Sequence, residues 1–413
     1  MAALIFNIII GIVIISFLFE RIMEWLNTTQ SNGMLPDKLA GIYDAEKYRK
    51  QQAYEKENYR FSFVYDTFSF LIMIAMLLLG GFAWLNSLLQ TYTMNPILLA
   101  ILFFGFIGWG ADILSIPFSA YHTFVIEEKF GFNKTSVKTF ILDKIKMWLL
   151  GAVIGGGILA LIVFIYTATG QWFWVLTWLA ISLFSIFMTM FYSTLIVPLF
   201  NKQKPLEEGE LRNAIEDFAR KTGFSLDAIF VIDGSKRSGK ANAYFSGLGR
   251  KKRIVLYDTL IQQHTTGELV AILAHEIGHY KLKHTTKSML LSVAHTGLLL
   301  YLVSLFISSP LLSQALGATT ESFHIGILAF GLLYSPLSTL TGIALNKLSR
   351  KHEYQADIFT GNNYNAETLI NALKKLSVNN LSNLTPHPAY VFIYYSHPTL
   401  LQRIIHLEKI NNE

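Results

Sequence analysis

Apolar residues gather along the chain into seven long runs, roughly 3–19, 61–85, 97–119, 146–167, 172–198, 289–309 and 324–346. Leu4–Leu18 reads LIFNIIIGIVIISFL, and Met289–Ile307 reads MLLSVAHTGLLLYLVSLFI. About 20 mostly apolar residues in helical form span the hydrocarbon core of a bilayer. Seven such runs in one chain predict a polytopic membrane protein, since buried helices of a soluble protein do not recur at this length and number. The first run has no basic flank before it and no small-residue cleavage site after it, so it is expected to stay as an anchor.

Between the runs the pattern changes. The charged stretch 20–60 has helical spacing and reads as a solvated helix face. Glu208–Thr222 (EGELRNAIEDFARKT) has amphipathic helical spacing and stops at Gly223. Ala228–Ile232 is a short strand candidate. Asn242–Ser246 and Arg253–Tyr257 flank Gly247-Leu248-Gly249 and predict a hairpin. Thr265 followed by Glu268 is a capping-box pattern that starts a helix through Val270–Tyr280.

Charge orients the runs. All 34 Lys and Arg lie in four places: between the first two runs, in 129–146, in 202–287 and in 347–409. The stretches 86–96, 168–171 and 310–323 hold none. By the positive-inside rule the N-terminus lies outside, and the long polar segments and C-terminus face the cytoplasm. The expected organisation is five membrane helices in 1–198, a catalytic part in 199–288, helices six and seven in 289–346, and a C-terminal part in 347–413. The two polar parts are expected to pack as one cytoplasmic unit.

Composition narrows the chemistry. Hydrophobic residues make up 52% and charged residues 15%, against about 25% charged in an ordinary soluble domain. Disorder, nucleic-acid binding and a simple soluble globule are excluded. With no cysteine there is no disulfide framework, thiolate metal site or cysteine nucleophile. Any metal must be held by histidine and carboxylate.

That combination occurs once with the right spacing. His275-Glu276-Ile277-Gly278-His279 is an HExxH motif inside the capped helix. Histidines at i and i+4 share a helical face and can hold one zinc ion, and Glu276 can act as general base on a zinc-bound water. Two histidines leave the ion under-coordinated. In Ser349–Asp357 (SRKHEYQAD), Glu353 and Asp357 share a face of a second helix. Glu353 completes a His₂Glu set, and Asp357 suits a hydrogen bond to a ligand's other ring nitrogen. His352 is a rival third ligand, projecting about 100° away from Glu353. His264, His284 and His324 read as ordinary polar residues. His397, in Ser396-His397-Pro398-Thr399, can donate to an oxyanion, although a capping turn explains that segment equally well. Asn242-Ala243-Tyr244-Phe245 is an edge-strand candidate for binding an extended peptide.

Together these motifs resemble the type I CAAX prenyl proteases, integral-membrane zinc peptidases. The resemblance runs over nearly the whole chain and includes Ile126–Thr135 (IEEKFGFNKT), Asn242–Phe245 (NAYF), Ala274–His279 (AHEIGH), Glu353–Asp357 (EYQAD) and Ser396–Arg403 (SHPTLLQR). IEEKFGFNKT is the most specific, because the physics of HExxH does not require it. Tyr354 replaces a common Phe. The resemblance implies seven tilted helices enclosing a chamber, capped by an α+β zinc-protease domain. It implies one zinc on His275, His279 and Glu353, Glu276 as base, Asn242 and His397 facing the substrate, and Arg403 in the same site. It also implies removal of the last three residues of a farnesylated CaaX peptide, with some members cutting further upstream.

The chain is compact and ends without a retrieval signal, which suits a member from a bacterial plasma membrane. Its partners are then a peptide or protein substrate, prenylated or otherwise hydrophobic, and the bilayer; a monomer is expected. Quality control of membrane proteins is an alternative role. A zinc transporter is an alternative of another class, with Asp112 and His295 as its membrane-embedded candidates, each also readable as an interhelical polar residue.

Overall fold

The computed structural model describes residues 1–30, 35, 37–224, 228–247 and 253–412. The helices are α1 (Ala2–Gln30), α2 (Ala45–Leu78), α3 (Gly81–Gln90), α4 (Pro96–Tyr121), α5 (Val137–Leu150), α6 (Gly156–Thr169), α7 (Phe173–Leu195) and α8 (Val197–Phe200). After β1 (Gln203–Pro205) come α9 (Glu210–Lys221), β2 (Ala228–Ile232), β3 (Ala243–Ser246), β4 (Arg253–Tyr257), α10 (Asp258–Gln263) and α11 (Thr266–Lys281). The chain closes with α12 (His284–Phe306), α13 (Pro310–Ala315), α14 (Phe323–Asn363), α15 (Ala366–Asn379), α16 (Pro388–Tyr394) and α17 (Leu400–Asn412).

Among the described residues, six helical stretches are long and apolar enough to cross a membrane. One of them, Val137–Phe200, has 64 residues, roughly 96 Å of helix and about three times a hydrocarbon core. It turns at Gly170, whose φ of 52° is open to glycine, and α6 packs back on α7. The stretch is therefore two crossings, and all seven apolar runs are accounted for.

The helices do not pack as a solid bundle. A bundle closed on its axis buries an inward stripe along each helix. Here α5 buries no residue, α1 buries only Ile9, and α2 buries none between Gln51 and Leu77. The same gap runs from Phe103 to the end of α4, between Thr177 and Ser193 in α7, and between Ala329 and His352 in α14. Buried side chains collect instead at the two ends. Leu77, Phe82, Phe103, Leu316 and Ile325 form a floor, and two clusters around α11 and α15 form a cap. Between floor and cap the helices expose side chains on both faces instead of burying an inward stripe.

The cap holds a four-stranded sheet in the order β1-β2-β4-β3. β2 and β4 run parallel, while β3 and β4 form the expected antiparallel pair with Tyr244 opposite Val255. Residues 248–252, which include most of the expected Gly247-Leu248-Gly249 turn, lie outside the described residues. β3 is an edge, with no strand on its other side among the described residues. Beside it a cavity of about 1080 Å³ opens between α5, α7 and α8, lined by Met147, Ile154, Met188, Tyr192, Tyr244 and Phe245 among others.

Stretch 20–60 departs from the solvated face expected of it. It extends α1 and begins α2, and Tyr43, Tyr48 and Tyr54 pack into the cap core. The helical periodicity was real, but aromatic residues within the charged run give one side an apolar contact. The IEEKFGFNKT segment has a structural reason as well. The Glu127 carboxylate, the Tyr54 hydroxyl and Lys240 Nζ meet, with Nζ 3.1 Å from Glu127 Oε2 and 4.5 Å from the Phe132 ring centre. Phe132 O accepts from Gly239 N–H at 2.9 Å, and Arg237 forks onto Asp143 at 2.7 and 2.9 Å. The loop after α4 thereby grips the segment that leads into β3.

Candidate metal centre

Helix α11 begins at a complete capping box. Glu268 N–H donates to Thr265 Oγ1 at 3.3 Å, and Thr265 N–H donates to Glu268 Oε2 at 2.8 Å. Lys375 Nζ, 2.7 Å away, ties this end to α15. Burial raises the Glu268 pKa, but Lys375 and the capping bonds outweigh it and hold the carboxyl below its ordinary range. Ala271, Leu273, Ala274 and Ile277 are buried, and α11 lies along α14. Gly278 permits that closeness, since a Cβ there would stand 3.1 Å from Phe359 Cδ1.

This packing brings three donor groups together. His279 Nε2 lies 3.1 Å from His275 Nε2 and 3.2 Å from Glu353 Oε1, and His275 Nε2 lies 3.3 Å from Glu353 Oε2. Ligand atoms about 2.0–2.1 Å from a tetrahedral ion stand about 3.3 Å apart along each edge. Among the described residues the buried Glu353 Oε2 has no hydrogen-bond donor, only the Arg403 charge at 3.7 Å, a cost that a bound cation would offset. A triangle of two imidazoles and a carboxylate, with Glu353 turning one oxygen to each histidine at close to this spacing, fits a divalent metal ion. His352 is not in the triangle; it is buried and stacks on His284, with ring centres 4.0 Å apart.

The surroundings hold His275 in place. Its Nδ1–H donates to Asp357 Oδ1 at 3.0 Å. Arg403 forks onto the same carboxylate, Nε to Oδ2 at 2.9 Å and Nη2 to Oδ1 at 2.6 Å, and its Nη1 lies 3.7 Å from Glu353 Oε2. Asp357 has no exposed surface. Burial and the Arg403 charge lower the His275 pKa, but Asp357 and Glu353 prevail and raise it to about 9. Burial likewise opposes the Arg403 charge, and Asp357 more than offsets it, so its pKa is raised.

The remaining predicted residues fall at different distances. Glu276 is half-buried on α11 beside His275. His397 is exposed, with Nε2 3.3 Å from Glu353 Oε1 and Nδ1 3.0 Å from Ser396 Oγ. Asn242 is exposed at the start of β3, where its Oδ1 accepts from Ala243 N–H at 2.8 Å. No contact joins it to the triangle among the described residues. The expectation that His284 is an ordinary polar residue is corrected: its Nδ1 lies 3.1 Å from His279 Nδ1. His264 and His324 bond elsewhere, to the Leu260 and Ala372 carbonyls and to Asn86. Asp112 accepts from Lys144 and Trp148, each at 2.7 Å, and His295 Nε2 meets the Tyr334 hydroxyl at 3.1 Å. Both are interhelical partners, as the sequence also allowed.

Known proteins place this arrangement. Residues 24–202 match "CAAX prenyl protease N-terminal, five membrane helices", and residues 205–411 match "Peptidase family M48". A CAAX prenyl protease 1 homolog of Arabidopsis thaliana is 37% identical over 405 residues, covering 96% of each chain. The chain belongs to the CAAX prenyl protease 1 family. CAAX prenyl protease 1 of Saccharomyces cerevisiae is 34% identical, covering 98% of this chain and 96% of the relative. The crystal structure of Ste24p from S. mikatae superposes with a TM-score of 0.93 at 33% identity, covering 98% of this chain and 99% of that one. The protein is thus an integral-membrane, multi-pass metallopeptidase of the CAAX prenyl protease family. These relatives are eukaryotic and lend no support to the bacterial source expected from the chain's compactness.

Proposed function

We propose that the protein is a zinc endopeptidase that cuts near the C-terminus of CaaX-type prenylated, or otherwise hydrophobic, membrane-associated substrates. The observation that carries this reading is the cluster of His275, His279 and Glu353, three electron-pair donors whose ligand atoms all lie within 4.8 Å of one another. These residues would hold the zinc, which when bound would polarise the scissile carbonyl and lower the pKa of its water toward about 7.

The chain's own groups do the rest. Glu276, next to His275 and half-buried, takes the proton of the attacking water and delivers it to the leaving amine. His397 Nε2–H reaches the oxyanion, with its Nδ1 accepting from Ser396 Oγ–H. The free edge of β3, starting at Asn242, binds the peptide in extended form by strand addition. Arg403 and Asp357 hold His275 in the tautomer whose Nε2 carries the lone pair. The cavity beside Tyr244 and Phe245 accepts the isoprenoid or apolar tail. By cation placement the cap faces the cytoplasm and the N-terminus lies outside.

The test is cleavage of farnesylated and unprenylated C-terminal peptides by purified wild-type protein and Glu276→Gln, with and without a chelator. A product three residues shorter from the prenylated peptide alone supports the reading. Equal cleavage of both peptides favours a quality-control protease, and turnover by Glu276→Gln with retained metal removes the general-base assignment.

A further inference from the structure

An imidazole presents Nε2 to a metal only when its Nδ1 side carries the proton and is held. For His275 the holder is the Asp357 carboxylate. For His279, no carboxylate among the described residues contacts Nδ1. Its Nδ1 instead lies 3.1 Å from His284 Nδ1, and His284 Nε2 lies 3.0 Å from Gln355 Oε1. An amide oxygen only accepts, so His284 bears its proton on Nε2 and its lone pair on Nδ1. His279 Nδ1–H then donates into that lone pair, leaving the lone pair of His279 Nε2 aimed at the triangle. The opposite sense would put the hydrogen of His279 on Nε2 and remove it as a ligand.

The ring of His284 is fixed for this task. It is 2% exposed and stacks on His352 at 4.0 Å with an interplanar angle of 8°. It opens α12 immediately after Lys283, whose φ of 58° turns the chain sharply at the end of α11. Gln355 comes from α14, two residues beyond Glu353, so the relay joins the start of α12 to one of the two helices that carry the metal triangle.

We propose that His284 and Gln355 are positioning residues: a neutral relay that sets the tautomer and orientation of His279 and thereby the metal affinity of the site. The inference rests on the zinc reading above. It is tested on the full-length protein by competition of zinc against a chromogenic chelator, and by the visible absorption of the cobalt-loaded form. His284→Phe keeps the stack but has no nitrogen, Gln355→Leu removes the acceptor, and Gln355→Glu retains one.

The relay predicts that the first two variants lose about 10–100-fold in zinc affinity and shift the cobalt bands at saturating metal, while Gln355→Glu stays near wild type. Gln355→Leu unfolds at the wild-type temperature when metal-free, which separates positioning from packing. If His284→Phe does not fold, the two Gln355 variants decide. Wild-type zinc affinity and cobalt bands in Gln355→Leu overturn the relay. His279→Ala distinguishes the deeper failure: if it too binds zinc like wild type, the metal reading itself falls.

Discussion

The contact between the two ligand-bearing helices can be tested at Gly278. Its substitution by Ala adds a Cβ 3.1 Å from Phe359 Cδ1 and 3.2 Å from Phe359 Cβ and Cγ. Carbon atoms rest at about 3.5–4.0 Å, so α11 and α14 must part by roughly 0.3–0.5 Å. Rotating the ring relieves Cδ1 but not Cβ, which is fixed to the backbone of α14. The methyl favours the helix by about 1 kcal/mol over Gly, against about 1–3 kcal/mol for overpacking. The net loss is therefore modest, up to about 2 kcal/mol. The metal site suffers more. Glu353 lies on α14 less than two turns from Phe359, and a shift of that size exceeds the about 0.2 Å tolerance of ligand distances. Gly278→Ala should lower zinc affinity about 10-fold or more, the scale of outer-shell defects, with a small drop in unfolding temperature. Phe359→Ala in the same chain should restore much of the affinity, because the two changes couple through one contact. Chelator competition and thermal unfolding read the two effects separately. A Gly278→Ala protein with wild-type affinity and unchanged or raised unfolding temperature would refute the argument that this glycine sets the spacing.

Two further outcomes follow from the charges around α11. Arg403→Met leaves the fully buried Asp357 without its counter-charge and should cost about 3–5 kcal/mol in chemical denaturation, while Arg403→Met with Asp357→Leu should recover most of it; equal stability of the single variant and wild type contradicts the ion-pair assignment. Glu268 has a lowered pKa, so its contribution is present above the unfolded Glu value of about 4.3 and is lost as pH falls through the lower folded value. Glu268→Gln should be about 1 kcal/mol less stable than wild type at pH 7, with the gap closing in acid; a gap unchanged between pH 7 and pH 3 contradicts the linkage.

The sequence was readable where one periodicity decides the outcome. Seven apolar runs mark seven crossings, and i, i+4 spacing puts His275 with His279, and Glu353 with Asp357, on shared helical faces. The lack of a packed bundle interior was invisible to hydropathy, because an apolar helix exposed on both faces has the same composition as one packed in a bundle. It shows only in where the buried residues are missing, as between Ala329 and His352 of α14. His284 was missed for a local reason. A position five residues after His279 lies off the ligand face of a continuing helix, but the left-handed turn at Lys283 ends α11 and swings His284 back onto His279. A histidine five residues beyond the motif, together with a polar residue two after Glu353, was the available signal. Likewise the charged run that leads into and begins α2 hid the tyrosines that dock it to the cap.

The central claim is that one divalent ion sits between two helices. Anomalous diffraction at the zinc edge from crystals of the purified protein tests it most directly. The account predicts a single peak about 2.0–2.1 Å from His275 Nε2, His279 Nε2 and a Glu353 carboxylate oxygen, absent after chelation. A peak bound by other side chains, or none in protein that still cleaves peptide, would contradict it.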